Sequence, residues 1–138
     1  MAGTLTLYSD EPLLDIDRKI IGKRVVVNGV ADASDGSFPA LTLKKLNGYL
    51  QPVITNPGSV APTDNYDIKI YHPSDSTADI TGNTLADRDT ANTEIGAVTI
   101  SGSATPTYLN GNYSLGITGN SVNSATLQII MEILAVTR

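Results

Sequence analysis

In the run Asn65-Tyr-Asp-Ile-Lys-Ile-Tyr-His72, apolar Tyr66, Ile68 and Ile70 alternate with charged Asp67 and Lys69. Successive side chains of a strand point to opposite faces, so a period of two gives one buried side and one wet side. The same period recurs where Leu5 and Leu7 alternate with threonines, and where Tyr113, Leu115 and Ile117 alternate with Ser114, Gly116 and Thr118. Between such runs stand Asn28-Gly29, Asp35-Gly36, Asn47-Gly48, Asn56-Pro57-Gly58, Asn110-Gly111 and Gly119-Asn120. Asn-Gly pairs accept the positive φ of tight hairpin turns. Thr, Val, Ile and Tyr are frequent, which again favours sheet. The pattern predicts an all-β chain, an antiparallel β-sandwich or jelly roll of about eight short strands. They fall near 3–9, 20–30, 38–45, 48–55, 65–72, 94–101, 106–118 and 125–136.

Two segments are ambiguous by periodicity. Leu127, Ile130, Met131 and Leu134 also fit a helix face, but β-branched Ile129, Ile130, Ile133 and Val136 favour a strand, buried on both faces. A short helix is the alternative inside 80–92, where Asp87, Arg88 and Asp89 cluster. Neither an internal repeat nor a linker-like change of composition divides the 138 residues, which read as a single β domain. Pro12 and the run Asp15-Ile-Asp-Arg18 interrupt strand logic, so residues 1–20 read as an extended N-terminal arm able to add to a neighbour's sheet edge.

Charge is unevenly distributed. The window from Asp64 to Glu94 holds seven acids against Lys69 and Arg88, which equals the net charge of −5 of the whole chain. Residues 1–50 balance six acids with six bases, and 95–131 carry no charged residue at all. The acidic balance argues against a nucleic-acid partner, whose binders show a basic footprint. No apolar run approaches the ~20 residues of a membrane-spanning helix. The first residues lack a basic stretch followed by an apolar one, so no secretory signal is expected. With no cysteine, disulfide and thiolate-metal chemistry are excluded.

Catalytic side chains are sparse. The single histidine, His72, precedes Pro73 and lies close to Asp75, but no Gly-x-Ser-x-Gly elbow marks a nucleophile, and a turn residue is the plainer reading. No glycine-rich loop opens a helix to cradle phosphate. Asp15/Asp17 and Asp87/Asp89 are acid pairs, but a glycosidase cleft normally adds aromatic platforms, and the chain has no Trp and one Phe. The stretch Asp75 to Asn83 superficially suggests a calcium loop, yet it lacks the alternating oxygen ligands and closing Glu of an EF-hand. Asn112-Tyr-Ser114 is formally a glycosylation sequon, read as accidental without a signal peptide. The chain is therefore expected to be no enzyme, with no cofactor and no metal.

Surfaces are the better candidates. Arg18, Lys19, Lys23 and Arg24 flank Ile20-Ile21-Gly22, either as a charged edge that discourages aggregation or as a cationic patch for an acidic neighbour. Asp87, Arg88 and Asp89 are the opposing candidates, in a second copy or another protein. In the uncharged stretch, Tyr108 and Tyr113 are candidate interface anchors, because interface cores are depleted of charge.

Five stretches carry a resemblance: Ala31-Asp-Ala-Ser-Asp-Gly-Ser-Phe-Pro-Ala40, Val53-Ile-Thr-Asn-Pro-Gly-Ser59, Ala61-Pro-Thr-Asp-Asn-Tyr-Asp-Ile68, Leu85-Ala-Asp-Arg-Asp-Thr-Ala-Asn-Thr-Glu94 and Ile117-Thr-Gly-Asn-Ser-Val-Asn-Ser-Ala125. In this order they resemble small structural proteins of tailed bacteriophages, most like a capsid cement (decoration) protein. The chain departs from that pattern at Tyr71-His-Pro-Ser-Asp-Ser-Thr77, where a simpler Asp-Gly turn is expected, and in its very apolar last strand. The resemblance implies a virion protein on the outer surface of the phage head, made in the host cytoplasm and bridging the major capsid protein. It also implies self-association, with a homodimer ahead of a trimer, and neither nucleic acid nor membrane as partner. A receptor- or glycan-binding module of the tail or neck is the alternative.

Overall fold

The computed structural model describes residues 1–90 and 107–135, together with the backbone pairing of 94–96, 99–100 and 103–104. Every regular element among them is a strand: β1 (Thr4–Leu14), β2 (Ile20–Val30), β3 (Leu41–Leu50), β4 (Val53–Pro57), β5 (Asp67–His72), β6 (Asp75–Asp79), β7 (Glu94–Gly96), β8 (Thr99–Ile100), β9 (Ser103–Ala104), β10 (Thr107–Thr118) and β11 (Thr126–Leu134). All pairings are antiparallel. β8 and β9 pair only with each other, and the other nine share one sheet.

β11 organises that sheet. One edge pairs with β2 from Thr126↔Val30 to Leu134↔Gly22. The other edge is divided: β4 takes Leu127 to Ile130, and the end of β3 takes Ile133 and Leu134. The sheet forks there. From β3 it continues to β10, β5 and β6. Burial along β11 alternates without exception, with Leu127, Ile129, Met131 and Ile133 buried. These side chains join Val25, Val27, Leu43, Leu46, Leu50, Ile68, Ile70, Leu109 and Leu115 in one core, fed from both branches of the fork. Strands on opposite edges of β11 also touch, where Lys23 Nζ of β2 donates to the carbonyl of Lys44 on β3 at 3.3 Å. The all-β antiparallel expectation is met, and among the described residues nine strands share one hydrogen-bonded sheet.

Several local expectations need correction. Of the expected 80–92 helix, the described residues 80–90 form none, while 91 and 92 lie outside the described residues; residues 80–85 are consecutive turns, Asn83 has φ of 65°, and Arg88 bridges to Tyr66. Within the segment 1–20, β1 pairs along its length with β2 and crosses Pro12 as an edge strand. The last strand is buried on one face and half-buried on the other. The expected strand ends at 106 and 136 lie outside the described residues. The 48–55 strand is instead the end of β3, a break at Gln51-Pro52, and β4.

Three Asn-Gly pairs are not turns. Gly29 lies inside β2, where the Phe38 ring and Leu5 Cδ1 sit 3.0 Å from the position a Cβ would take. Gly48 lies inside β3 with φ of 138°, and the Leu134 carbonyl oxygen is 2.1 Å from its Cβ position. Gly111, with φ of 118°, lies at the β10 bulge where register with β3 shifts between Gly111 and Tyr113. In the first two, glycine answers to a distant part of the chain that comes close.

Candidate interaction surfaces

Strand direction gathers the connections at two ends. At the first end β1 and β2 meet in a turn built on Asp15, whose Oδ1 accepts from the N–H groups of Asp17 at 2.8 Å and Lys19 at 2.9 Å. Arg18 takes a left-handed φ of 62° there. Ile16 at the apex is 97% exposed, Ile20 is 70% exposed, and its pairing partner Leu14 is also exposed. Tyr49 and Tyr108 face each other across β3 and β10 at the same end, ring centroids 5.5 Å apart in an edge-to-face pair. The Tyr108 hydroxyl donates to Asn47 Oδ1 at 3.3 Å. Leu134 connects the two features, since it pairs with Gly22 on one side and Tyr49 on the other. A groove of about 340 Å³, lined by Pro12, Ile20, Gly22, Asn47 and Ala135 among others, runs between them.

The four expected bases do not form one patch. Lys23 Nζ contacts Asp10 Oδ2 at 3.1 Å, and Arg24 Nη2 contacts Glu132 Oε2 at 3.4 Å, both within the chain. Adjacent strand residues face opposite ways, so this separation follows from β geometry. Arg18 and Lys19 remain together at the turn. Of the proposed anchors, Tyr108 is 49% exposed, but Tyr113 packs partly against the core and its hydroxyl accepts from the Asn110 N–H at 3.0 Å. Arg88 is only 3% exposed and donates from Nε and Nη2 to Thr55 Oγ1, so it serves the interior rather than a surface. Asp87 and Asp89 on either side of it are exposed.

Described parts of the stretches quoted above meet at the second end. Loops 31–40, 58–66 and 119–125 are bound together by side chains and backbone. Asn120 accepts from the Thr63 N–H at 2.8 Å and donates to the Gly36 carbonyl at 2.6 Å. Ser121 N–H donates to Thr63 Oγ1, Ser124 N–H to the Asp32 carbonyl, and Thr126 N–H to the Val60 carbonyl. The 85–88 segment joins through Ile68 N–H to the Leu85 carbonyl and Arg88 N–H to the Tyr66 carbonyl. The Asp87 N–H donates to Asp67 Oδ1 at 2.9 Å.

Most of the acids near these loops build turns. Asp32, Asp35, Asp75 and Asp79 each accept from the backbone N–H two residues on, at Ser34, Ser37, Thr77 and Thr81. Such side-chain-to-backbone closure is the Asx-turn. The Ser34 hydroxyl and N–H hold the Asp32 carboxyl below its ordinary range, and the Thr77 hydroxyl and N–H do the same at Asp75. The same bonding occupies the acids of the Asp75 to Asn83 stretch. The Asp79 carboxylate receives the N–H and hydroxyl of Thr81 and the N–H groups of Ile70 and Asn83. Among the described residues no group of three His, Asp or Glu could hold a metal. The i to i+2 spacing of Asp to Ser or Thr was a legible sequence signal for these turns.

His72 closes the β5–β6 turn: its Nδ1 accepts from the Ser74 N–H at 3.3 Å and lies 2.7 Å from Ser74 Oγ. A triad would need a carboxylate on the second ring nitrogen. The Asp75 carboxylate instead accepts from the N–H and hydroxyl of Thr77.

Comparison with protein families, with curated proteins and with solved structures yields no match, and nothing in them links the chain to phage structural proteins.

Proposed function

We propose that this chain is a structural protein of a tailed-phage virion that decorates the outside of the head and stabilises it by bridging neighbouring coat-protein subunits, without catalytic turnover or cofactor. The observation that carries this reading is the convergence of loops 31–40, 58–66, 85–88 and 119–125 into one hydrogen-bonded end. Loops fixed in this way present a preformed surface, so little ordering entropy is lost on contact. The exposed acids Asp35, Asp64 and Asp87 at that end favour a basic partner surface and give register by charge complementarity. Many identical contacts then add resistance to a shell under internal pressure through avidity.

The test is occupancy. Purified chain is added to phage heads that lack it, and particle-bound chain is quantified by mass spectrometry and cryo-EM. Saturable binding, weakened at least tenfold by the double change Asp64→Lys and Asp87→Lys, is the expected result. Absence of the chain from purified virions of the phage that encodes it would overturn the proposal.

A further inference from the structure

We infer that the opposite end of the molecule, the β1–β2 turn together with the Tyr49–Tyr108 pair, is a self-association surface that takes a second copy of this chain across a two-fold axis. The inference goes beyond the decoration reading and does not depend on it.

Leu14, Ile16, Ile20, Tyr49 and Tyr108 are all large and exposed, and strand register makes them neighbours through Leu134 and Gly22. At ordinary residue areas their exposures sum to about 600 Å², the upper range of patches on a monomer and close to the ~800 Å² per partner of a standard interface. Exposed aliphatic groups at a turn apex have no role in the chain's own core. Ile16, at 97% exposure, touches almost nothing of its own molecule.

Electrostatics selects the occupant. Two copies that each carry −5 repel one another unless they meet where local charge is balanced. That condition holds at this end. Lys23 is matched by Asp10 and Arg24 by Glu132, while the turn sets Asp15 and Asp17 against Arg18 and Lys19. The turn is thus self-complementary: under a two-fold axis, Asp17 of one copy meets Arg18 and Lys19 of the other. A two-fold contact is also the commonest closed arrangement, because one patch serves both partners. The loop end, with Asp35, Asp64 and Asp87, would repel its own copy and is held away from the axis.

The experiment is sedimentation velocity of the intact chain from low to high micromolar concentration, with circular dichroism as a check on folding. The wild type is expected to pass from the mass of one chain to that of two and no further. Ile16→Asp, at a site outside the core, keeps the fold and weakens association at least tenfold. The double variant Arg18→Glu with Lys19→Glu is monomeric alone, and mixing it with Asp17→Lys restores a species of two chains. A wild type that stays monomeric throughout overturns the inference, and so does a mass that grows beyond two chains, the signature of head-to-tail contact. Dimers that persist in Ile16→Asp, or mixing without rescue, place the contact elsewhere and equally refute it. A monomer whose tyrosine fluorescence responds to an oligosaccharide would assign the surface to a glycan instead.

Discussion

Replacing Gly48 and Gly111 separately by alanine isolates the cost of a close backbone approach. Both glycines have positive φ, 138° and 118°, so both substitutions incur a conformational cost of about 1–2 kcal/mol. They differ in what a new methyl group meets. At Gly111 nothing lies within 4 Å of the Cβ position, whereas at Gly48 the Leu134 carbonyl oxygen is 2.1 Å away and its carbon 2.7 Å. Those atoms are backbone and pair with β3 at the fork, so they cannot swing aside as a side chain would. Forcing them apart adds about 1–3 kcal/mol, typical of overpacking. Gly111→Ala should therefore cost about 1–2 kcal/mol and Gly48→Ala about 2–5 kcal/mol, against a total stability of about 5–15 kcal/mol. Urea unfolding followed by tyrosine fluorescence reads the difference. At a slope of about 2 kcal/mol per molar urea, the Gly48→Ala midpoint should fall about 1 M further than that of Gly111→Ala. Equal midpoints for the two variants would refute the claim that the strand β3 requires glycine there because β11 ends against it.

Two more expectations follow from the side-chain hydrogen bonds that hold the turns and loops. Asp32 and Asp75 titrate below their ordinary value of 3.8 when folded, so their contribution is present above that value and lost as pH falls through the lower folded value. Thermal melts should show stability declining below about pH 4, and the double variant Asp32→Asn, Asp75→Asn should flatten that decline; an unchanged slope would contradict it. Asn120→Ala removes the bonds to Thr63 and Gly36 that join three loops, at a cost of about 2 kcal/mol. Hydrogen exchange should then accelerate at the amides of Thr63, Ser121 and Ser124 while those of β11 stay protected, and uniform acceleration would mean that the loops are not a separate unit.

The legible part of the fold is the part governed by alternation. Tyr66, Ile68, Ile70, Leu115 and Ile117 are buried where the period of two puts them. The Asn-Gly pairs misled because a local turn signal and a distant steric demand select the same residue. Gly29 yields to Phe38 and Gly48 to Leu134, and neither partner is near in sequence. The charges misled for a related reason. A carboxylate that caps its own turn and one that awaits a partner look alike until the N–H two residues on is located. Arg88 read as a surface charge, and only the arrival of Thr55 from β4 makes it interior. The bases of the Asp15 to Lys19 turn are plain in the sequence, but the exposure of Ile16 depends on how far β1 and β2 run before they turn.

The position of β11 has a consequence for the order of events at the ribosome. It follows every other described strand in the sequence, yet it supplies the pairing edge for β2, β3 and β4. Gln128 finds Asn28 across a separation of 100 residues. Until β11 has emerged, β2 has only β1 and β4 only β7 to pair with, and the apolar faces of Val25, Val27 and Val53 lack the β11 side chains that complete their core. Folding is accordingly expected to be non-local and slow, with the sheet joined only once β11 is present.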